Sequence, residues 1–288
     1  MTEKLRITVL VENTAESPGL LAEHGLAFGI EAGSQCILFD TGQGGVLVSN
    51  AYRLGISLSR VDALVLSHGH YDHTGGLADA LRGNRPNAIY AHPDAMKPKF
   101  ARNKDGTSRG IGIPYPCEQA IERRRDRLVR TEQPTPVSNG LMVTGPVPRV
   151  TEFEDTGGPF FLDPECRKPD PLVDDQAVFF DSTQGTVVLL GCAHAGVINT
   201  LSYVRELTGE RPIHAVLGGM HLGGASAQRL KRTIDELREM HIDCLGPAHC
   251  TGRAATAALW DVLPDQCIPC HVGTQVEFDL LTLSTIGA

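Results

Sequence analysis

The chain has 288 residues, 41% hydrophobic and 21% charged, with a formal net charge of −8. That composition is ordinary for a globular protein, and no apolar run approaches the length of a membrane span. The acidic balance excludes a nucleic-acid track: Arg123-Arg124-Arg125 is short, is flanked by Glu122 and Asp126, and reads as a solvated helix face.

In chain order, short apolar or alternating runs predict strands at Ile7–Val11, Leu26–Glu31 and Cys36–Phe39. A helix is expected at Val46–Leu54, a strand at Ala63–Leu66, a helix at Gly76–Leu81 and a strand at Ala88–Ala91. From Pro93 to Pro148 the pattern changes: prolines at 98, 114, 116, 134, 136 and 146 and many charges read as an insertion over the surface, a lid or a loop, rather than core scaffold. Phe153–Pro171 is a second loop. Strands at Ala177–Phe180, Val187–Leu190, Ala215–Leu217 and Cys244–Gly246 then alternate with helices at Thr200–Thr208, Ala227–Met240 and Ala254–Val262. Leu230, Ile234 and Leu237 recur at helical spacing. Both halves carry histidines, so one domain over 1–288 with a shared cleft is the expectation.

Residues 2–4 lead directly into the first strand with no apolar leader, so a cytoplasmic location is expected. Eight scattered cysteines lack the density of a disulfide scaffold and should be mostly reduced there. Cys267, Cys270 and His271 have the spacing of a haem attachment site. That chemistry requires export, so these cysteines are expected to pack near the end of the fold.

The most informative residues are His68, Gly69, His70, Tyr71, Asp72 and His73, directly after the run Ala63–Leu66. Residues two apart on a sharply turned segment project side by side, so His68 and His70 are expected to grip one ion. Asp72 and His73, one turn on, are placed to grip a second. Imidazole suits zinc, iron or manganese, and a carboxylate suits a hydrolytic second site. Among the other histidines, His221 in a Gly-Gly-Met-His turn reads as functional. His24 and His92 are weaker candidates, and His214, His241 and His271 are expected to be structural.

The H-x-H-x-D-H pattern resembles the signature of the metallo-β-lactamase superfamily. Asp40, in Phe39-Asp40-Thr41-Gly42, resembles the strand-end aspartate that orients a metal-binding histidine. Gly191-Cys192-Ala193-His194-Ala195-Gly196 and Pro247-Ala248-His249-Cys250-Thr251-Gly252 resemble later metal-ligand turns. More narrowly, Glu23-His24-Gly25-Leu26, Asp174-Asp175-Gln176-Ala177, Asn199, Gly218-Gly219-Met220-His221-Leu222 and Thr144–Arg149 are similar to the subgroup of dihydropterin–ribofuranosylaminobenzene phosphate synthases and their bacterial relatives. The resemblance implies an α/β (α+β) fold, a four-layer αββα sandwich, with two divalent metal ions, zinc foremost and iron or manganese as alternatives. The implied ligands are His68, His70, Asp72, His73, His194 and His249.

One departure stands out. Where the family places a bridging aspartate in a Gly-Asp turn, this chain has Gly191-Cys192. Either His194 supplies the third imidazole of the first ion or Cys192 bridges as a thiolate. Without a bridging carboxylate, occupancy by a single metal is a further alternative.

The expected activity is metal-activated water attacking a small polar substrate of phosphorylated or pterin-like kind. Asp72 would orient the nucleophile and His221 would donate a proton. His24, Asp175 and Arg149 are the candidate substrate contacts, Arg149 pairing with a phosphate or carboxylate. The competing readings are a synthase of the subgroup's kind, a di-iron oxidoreductase and a metal-bearing sensor without turnover.

Overall fold

A computed structural model describes residues 3–281. The first half runs β1 (Lys4–Val11), β2 (Ala27–Ala32), β3 (Gln35–Phe39), α1 (Leu47–Arg53), β4 (Ala63–Val65), α2 (Tyr71–Thr74), α3 (Leu77–Ala80) and β5 (Ala88–Ala91). The middle holds β6 (Phe100–Arg102), β7 (Ser108–Gly110), α4 (Tyr115–Glu122), β8 (Leu128–Arg130), β9 (Thr135–Ser138), β10 (Leu141–Val143) and β11 (Phe160–Phe161). Then follow β12 (Ala177–Ser182), β13 (Gly185–Leu190), α5 (Val197–Leu207), β14 (Ile213–Gly219), α6 (Ala227–Glu239), β15 (Cys244–Ala248), α7 (Arg253–Val262) and β16 (Gln275–Asp279).

Two large sheets result, ordered β16-β1-β2-β3-β4-β5-β8 and β15-β14-β13-β12-β10-β9. Successive side chains on a strand point to opposite faces, and here both faces are covered. Ile37 and Phe39 face Val187 and Leu189 across the inner core. Leu38, between them, packs outward with Leu47, Leu77 and Ile121 from α1, α3 and α4. Val188 and Leu190 pack outward against Leu201, Ile234 and Leu259 from α5, α6 and α7. The order helix, sheet, sheet, helix is the expected four-layer sandwich. Burial on both faces is why its strands read as nearly continuous apolar runs.

The insertion needs correction. Within 93–148, β8 pairs with β5 at the edge of the first sheet, and β10 pairs with β12 in the second. Leu141 and Val143 are inner-core residues, while Cys117, Ala120 and Ile121 of α4 sit in the outer core. The prolines misled because they sit where proline is tolerated. Pro114 and Pro116 open α4, and Pro136 lies in β9, an edge strand. Only β6 and β7 stand apart, in a three-stranded sheet completed by β11 from the second loop. No helix among the described residues is long and apolar enough to cross a membrane.

Candidate metal centre

The cluster forms where the parallel strands end. β4 stops at Val65, and Ser67–His70 turns the chain into α2, with His70 still extended (φ −75°, ψ 147°) as the residue preceding the helix. Gly69 lies so close to the chain at Ala95 that a Cβ would stand 2.1 Å from the Ala95 carbonyl oxygen. Only glycine fits between the two histidines at that approach. Three other contributors hold left-handed backbone: Asp40 (φ 59°), His221 (φ 46°) and His249 (φ 51°). For residues with a Cβ this costs about 1–3 kcal/mol each and is common at functional sites.

His68, His73 and His194 are fully buried, and His70, Asp72 and His249 are nearly so. His68 Nε2 lies 3.0 Å from His70 Nδ1. The His194 ring centroid is 4.8 Å from that of His68 and 5.0 Å from that of His70. His73 Nε2 lies 3.2 Å from His249 Nε2 and 3.1 Å from Cys192 Sγ. Asp72 Oδ2 is 3.4 Å from His249 Nε2 and 3.0 Å from His24 Nε2. Two donor groups, His68–Cys192–His194 and His73–Cys192–His249, share one thiol. The structure therefore brings His194 and Cys192 to the same place, with Cys192 between the two halves.

Hydrogen bonds behind the rings set the tautomers. His194 Nδ1–H donates to the Thr156 carbonyl, 2.8 Å away. His73 Nδ1–H donates to Asp40 Oδ2 at 2.7 Å. Asn13 Oδ1 accepts from the Gly25 N–H, so it must also accept from His249 Nδ1–H at 3.0 Å. Asp40 further accepts from the Ser67 N–H and hydroxyl, and Ser67 Oγ lies 2.9 Å from His68 Nδ1. The Nδ1 protons of His68, His73, His194 and His249 thus point outward and Nε2 is the inward atom of each, as metal-binding imidazoles require. His70 Nε2 and His194 Nε2 are buried without a hydrogen-bond partner.

The electrostatics agree with that arrangement at His68, His70 and His194 and oppose it at His73. Burial, reinforced by neighbouring histidines, pushes His68 and His194 well below the usual histidine value. Burial takes His70 down to about 3. At His73 burial acts downward, but the Asp40 charge and hydrogen bond and the Asp72 charge overcome it and raise the group to about 9. Burial would raise Asp72, yet bonds from His24 and His249 hold it well below the carboxylate range. His221 is raised against its burial by the neighbouring Cys250.

The remaining expected contacts are redistributed. His24 is half-exposed at the mouth, its ring 5.0 Å from that of His249. Arg149 does not offer its guanidinium to the cleft. It donates to the His194 and Pro171 carbonyls, both at 2.7 Å, and props the His194 turn. Asp175 is buried, accepts from the Ala195 N–H and is raised by that burial to about 6, so it too braces the turn. His221 joins the site, its ring centroid 4.3 Å from that of His194. His92 accepts from the Asp94 N–H and caps a 3₁₀ turn. His214 lies in β14 and pairs with Asp243.

Several supporting residues escaped the sequence reading. Glu12 Oε1 accepts from the His249 N–H at 2.7 Å. A carboxylate at the end of an apolar strand was the available signal. Lys99, from the insertion, is buried and bonds Asp170 and Asp174, both at 2.9 Å. Asp174 in turn accepts from the Gly69 N–H. Phe160 of β11 stands over the cluster, 5.0 Å from the His70 ring and 5.3 Å from the His194 ring. No local pattern marks a pairing across such separations.

Fold and site together define an αββα protein whose His/Asp/Cys cluster is suited to divalent metal. The metallo-β-lactamase superfamily model matches residues 22–249, and the chain belongs to that superfamily. It is 35% identical over 256 residues, 88% of this chain and 93% of the relative, to an uncharacterised protein of Methanocaldococcus jannaschii. It is 27% identical to that organism's 7,8-dihydropterin-6-methyl-4-(β-D-ribofuranosyl)-aminobenzene-5′-phosphate synthase, covering 96% of this chain and 97% of the relative. A solved metal-dependent hydrolase of the β-lactamase superfamily superposes with a TM-score of 0.79 at 26% identity, over 96% of this chain and 99% of that one. A diphosphatase of the PhnP family, at 16% identity and TM-score 0.54, over 97% and 99% of the two chains, shares the fold.

Proposed function

We propose that the cluster holds two divalent metal ions, zinc foremost, and that the protein hydrolyses a small polar substrate of phosphorylated or pterin-like kind. His68, His70 and His194 would hold one ion and Asp72, His73 and His249 the other, with Cys192 as the alternative bridge. The carrying observation is His194. Its Nδ1–H is committed to Thr156, which leaves a buried Nε2 lone pair with no partner beside two further imidazoles. An unsatisfied buried acceptor costs about 1–3 kcal/mol, and a cation removes that cost. The 3.2 Å approach of His73 and His249 Nε2 makes the same demand for positive charge.

When bound, such ions make hydroxide available near neutral pH and polarise a carbonyl or phosphoryl oxygen. The protein's own groups do the rest. Asp72 Oδ2, ionised and aimed between His24 and His249, orients the nucleophile. His221, its ring 4.3 Å from that of His194, donates to the leaving group. Phe160 excludes water from the imidazole wall. The same reading places the protein in a reducing, cytoplasmic setting, with its eight cysteines as thiols.

The test is turnover of phosphodiester and ester panels with and without chelator, alongside elemental analysis. Unchanged turnover after complete metal removal refutes the proposal. The full-length similarity to the synthase favours a second reading, condensation of a dihydropterin with an aminobenzene ribotide phosphate. Mass-spectrometric trapping of that product, with no hydrolysis of the panels, would select it.

A further inference from the structure

Cys250 follows the candidate ligand His249, and the metal proposal gives it no role. Its thiol, the Cys192 thiol and a His221 ring nitrogen all lie within 4.8 Å of one another. Cys250 Sγ points at Cys192, 3.7 Å from that residue's own carbonyl oxygen. Gly219 makes the approach possible: a Cβ there would stand 2.6 Å from Cys250 Sγ and 3.3 Å from Cys192 Cα. Cys250 is partly exposed, whereas Cys192 is buried. Cys192 is also shared by both donor groups of the cluster, and its Sγ touches His73 Nε2.

We propose that Cys250 and Cys192 are an oxidant-sensitive pair whose disulfide withdraws Cys192 from the cluster and blocks metal uptake. A peroxide supplies the oxidising equivalents. The Cys250 sulfur attacks one peroxide oxygen, the O–O bond breaks, and the distal oxygen leaves as hydroxide, which takes up the thiol proton to become water, giving Cys250 sulfenic acid. Cys192 sulfur then attacks Cys250 sulfur. The S–S bond forms, the S–O bond breaks, and the hydroxyl leaves with the Cys192 proton as a second water. Two thiols are oxidised and one peroxide is reduced. A dithiol reverses the bond by exchange.

The block on metal uptake rests on the metal-centre reading, but the cross-link is read independently of it. Metal-free full-length protein is treated with one equivalent of hydrogen peroxide, digested without reduction and mapped by mass. Zinc uptake is then measured against a chromophoric chelator before and after dithiothreitol. The expected result is a Cys192–Cys250 linked peptide, a fall in zinc affinity of at least about 10-fold of the kind that loss of ligand support produces, and full recovery on reduction. No cross-link, a different cysteine pairing, or a cross-link that leaves zinc affinity unchanged overturns the proposal. Failure of the reduced protein to bind zinc overturns the metal reading as well, whatever the peptide map shows. A Cys250→Ser protein, if it folds, should take up zinc after the same peroxide treatment.

Discussion

Replacing Asp40 with asparagine tests the orienting shell with almost no change in volume. Asp40 is 1% exposed and accepts three hydrogen bonds: from the Ser67 N–H at 2.7 Å, the Ser67 hydroxyl at 2.6 Å and His73 Nδ1–H at 2.7 Å. An amide keeps one acceptor for the Ser67 N–H. Its NH₂ must then face the hydroxyl and the imidazole. His73 adapts only by moving its proton to Nε2, the atom that faces His249 and Cys192. The lone pair offered to a cation is lost. Changes behind a metal ligand typically cost 10–100-fold in affinity, about 1.4–2.8 kcal/mol. Loss of the charge-assisted bond removes a further stabilisation of about 1.5–3 kcal/mol from the metal-free fold. Zinc affinity is read by chelator competition and stability by urea unfolding of the metal-free protein. Asp40→Asn protein that binds zinc as tightly as the parent would refute the tautomer argument.

Three further outcomes are expected. Lys99→Met leaves the carboxylates of Asp170 and Asp174 buried and unpaired; removing one partner from such a group costs about 3–5 kcal/mol, and urea unfolding showing under about 1 kcal/mol would refute that role. In metal-free protein, His68, His70 and His194 have folded pKa values below the unfolded one, so the unfolded chain binds protons first. Stability should then fall as pH drops below about 6.5, by up to about 1.4 kcal/mol per pH unit per group. His73, raised to about 9, acts with the opposite sign: its contribution is complete below about 6.5 and is lost as pH rises through 9. A urea series flat from pH 8 to pH 4 would contradict both shifts. Finally, zinc at 1,000 times its dissociation constant should stabilise the fold by about 4 kcal/mol; an unfolding midpoint unmoved by chelator would count against the site.

The local sequence determined a good deal. Apolar runs bounded by glycine and aspartate marked nine strands, because a strand buried on both faces must be apolar along its length. The density of His68, His70, Asp72 and His73 marked the cluster, since side chains from one turn need only local spacing. His194 and His249 were reached through the family resemblance of the turns that hold them, each following such a run. The tertiary structure alone decided how these pieces support one another. Pairing of β8 and β10 with distant strands turned a proline-rich insertion into scaffold. Arg149 and Asp175 became braces because the His194 turn folds onto them. Glu12, Asn13, Lys99 and Phe160 entered the site across long stretches of chain. Hydrogen bonds and ring contacts of that kind depend on distance and direction in space, and a one-dimensional pattern carries neither.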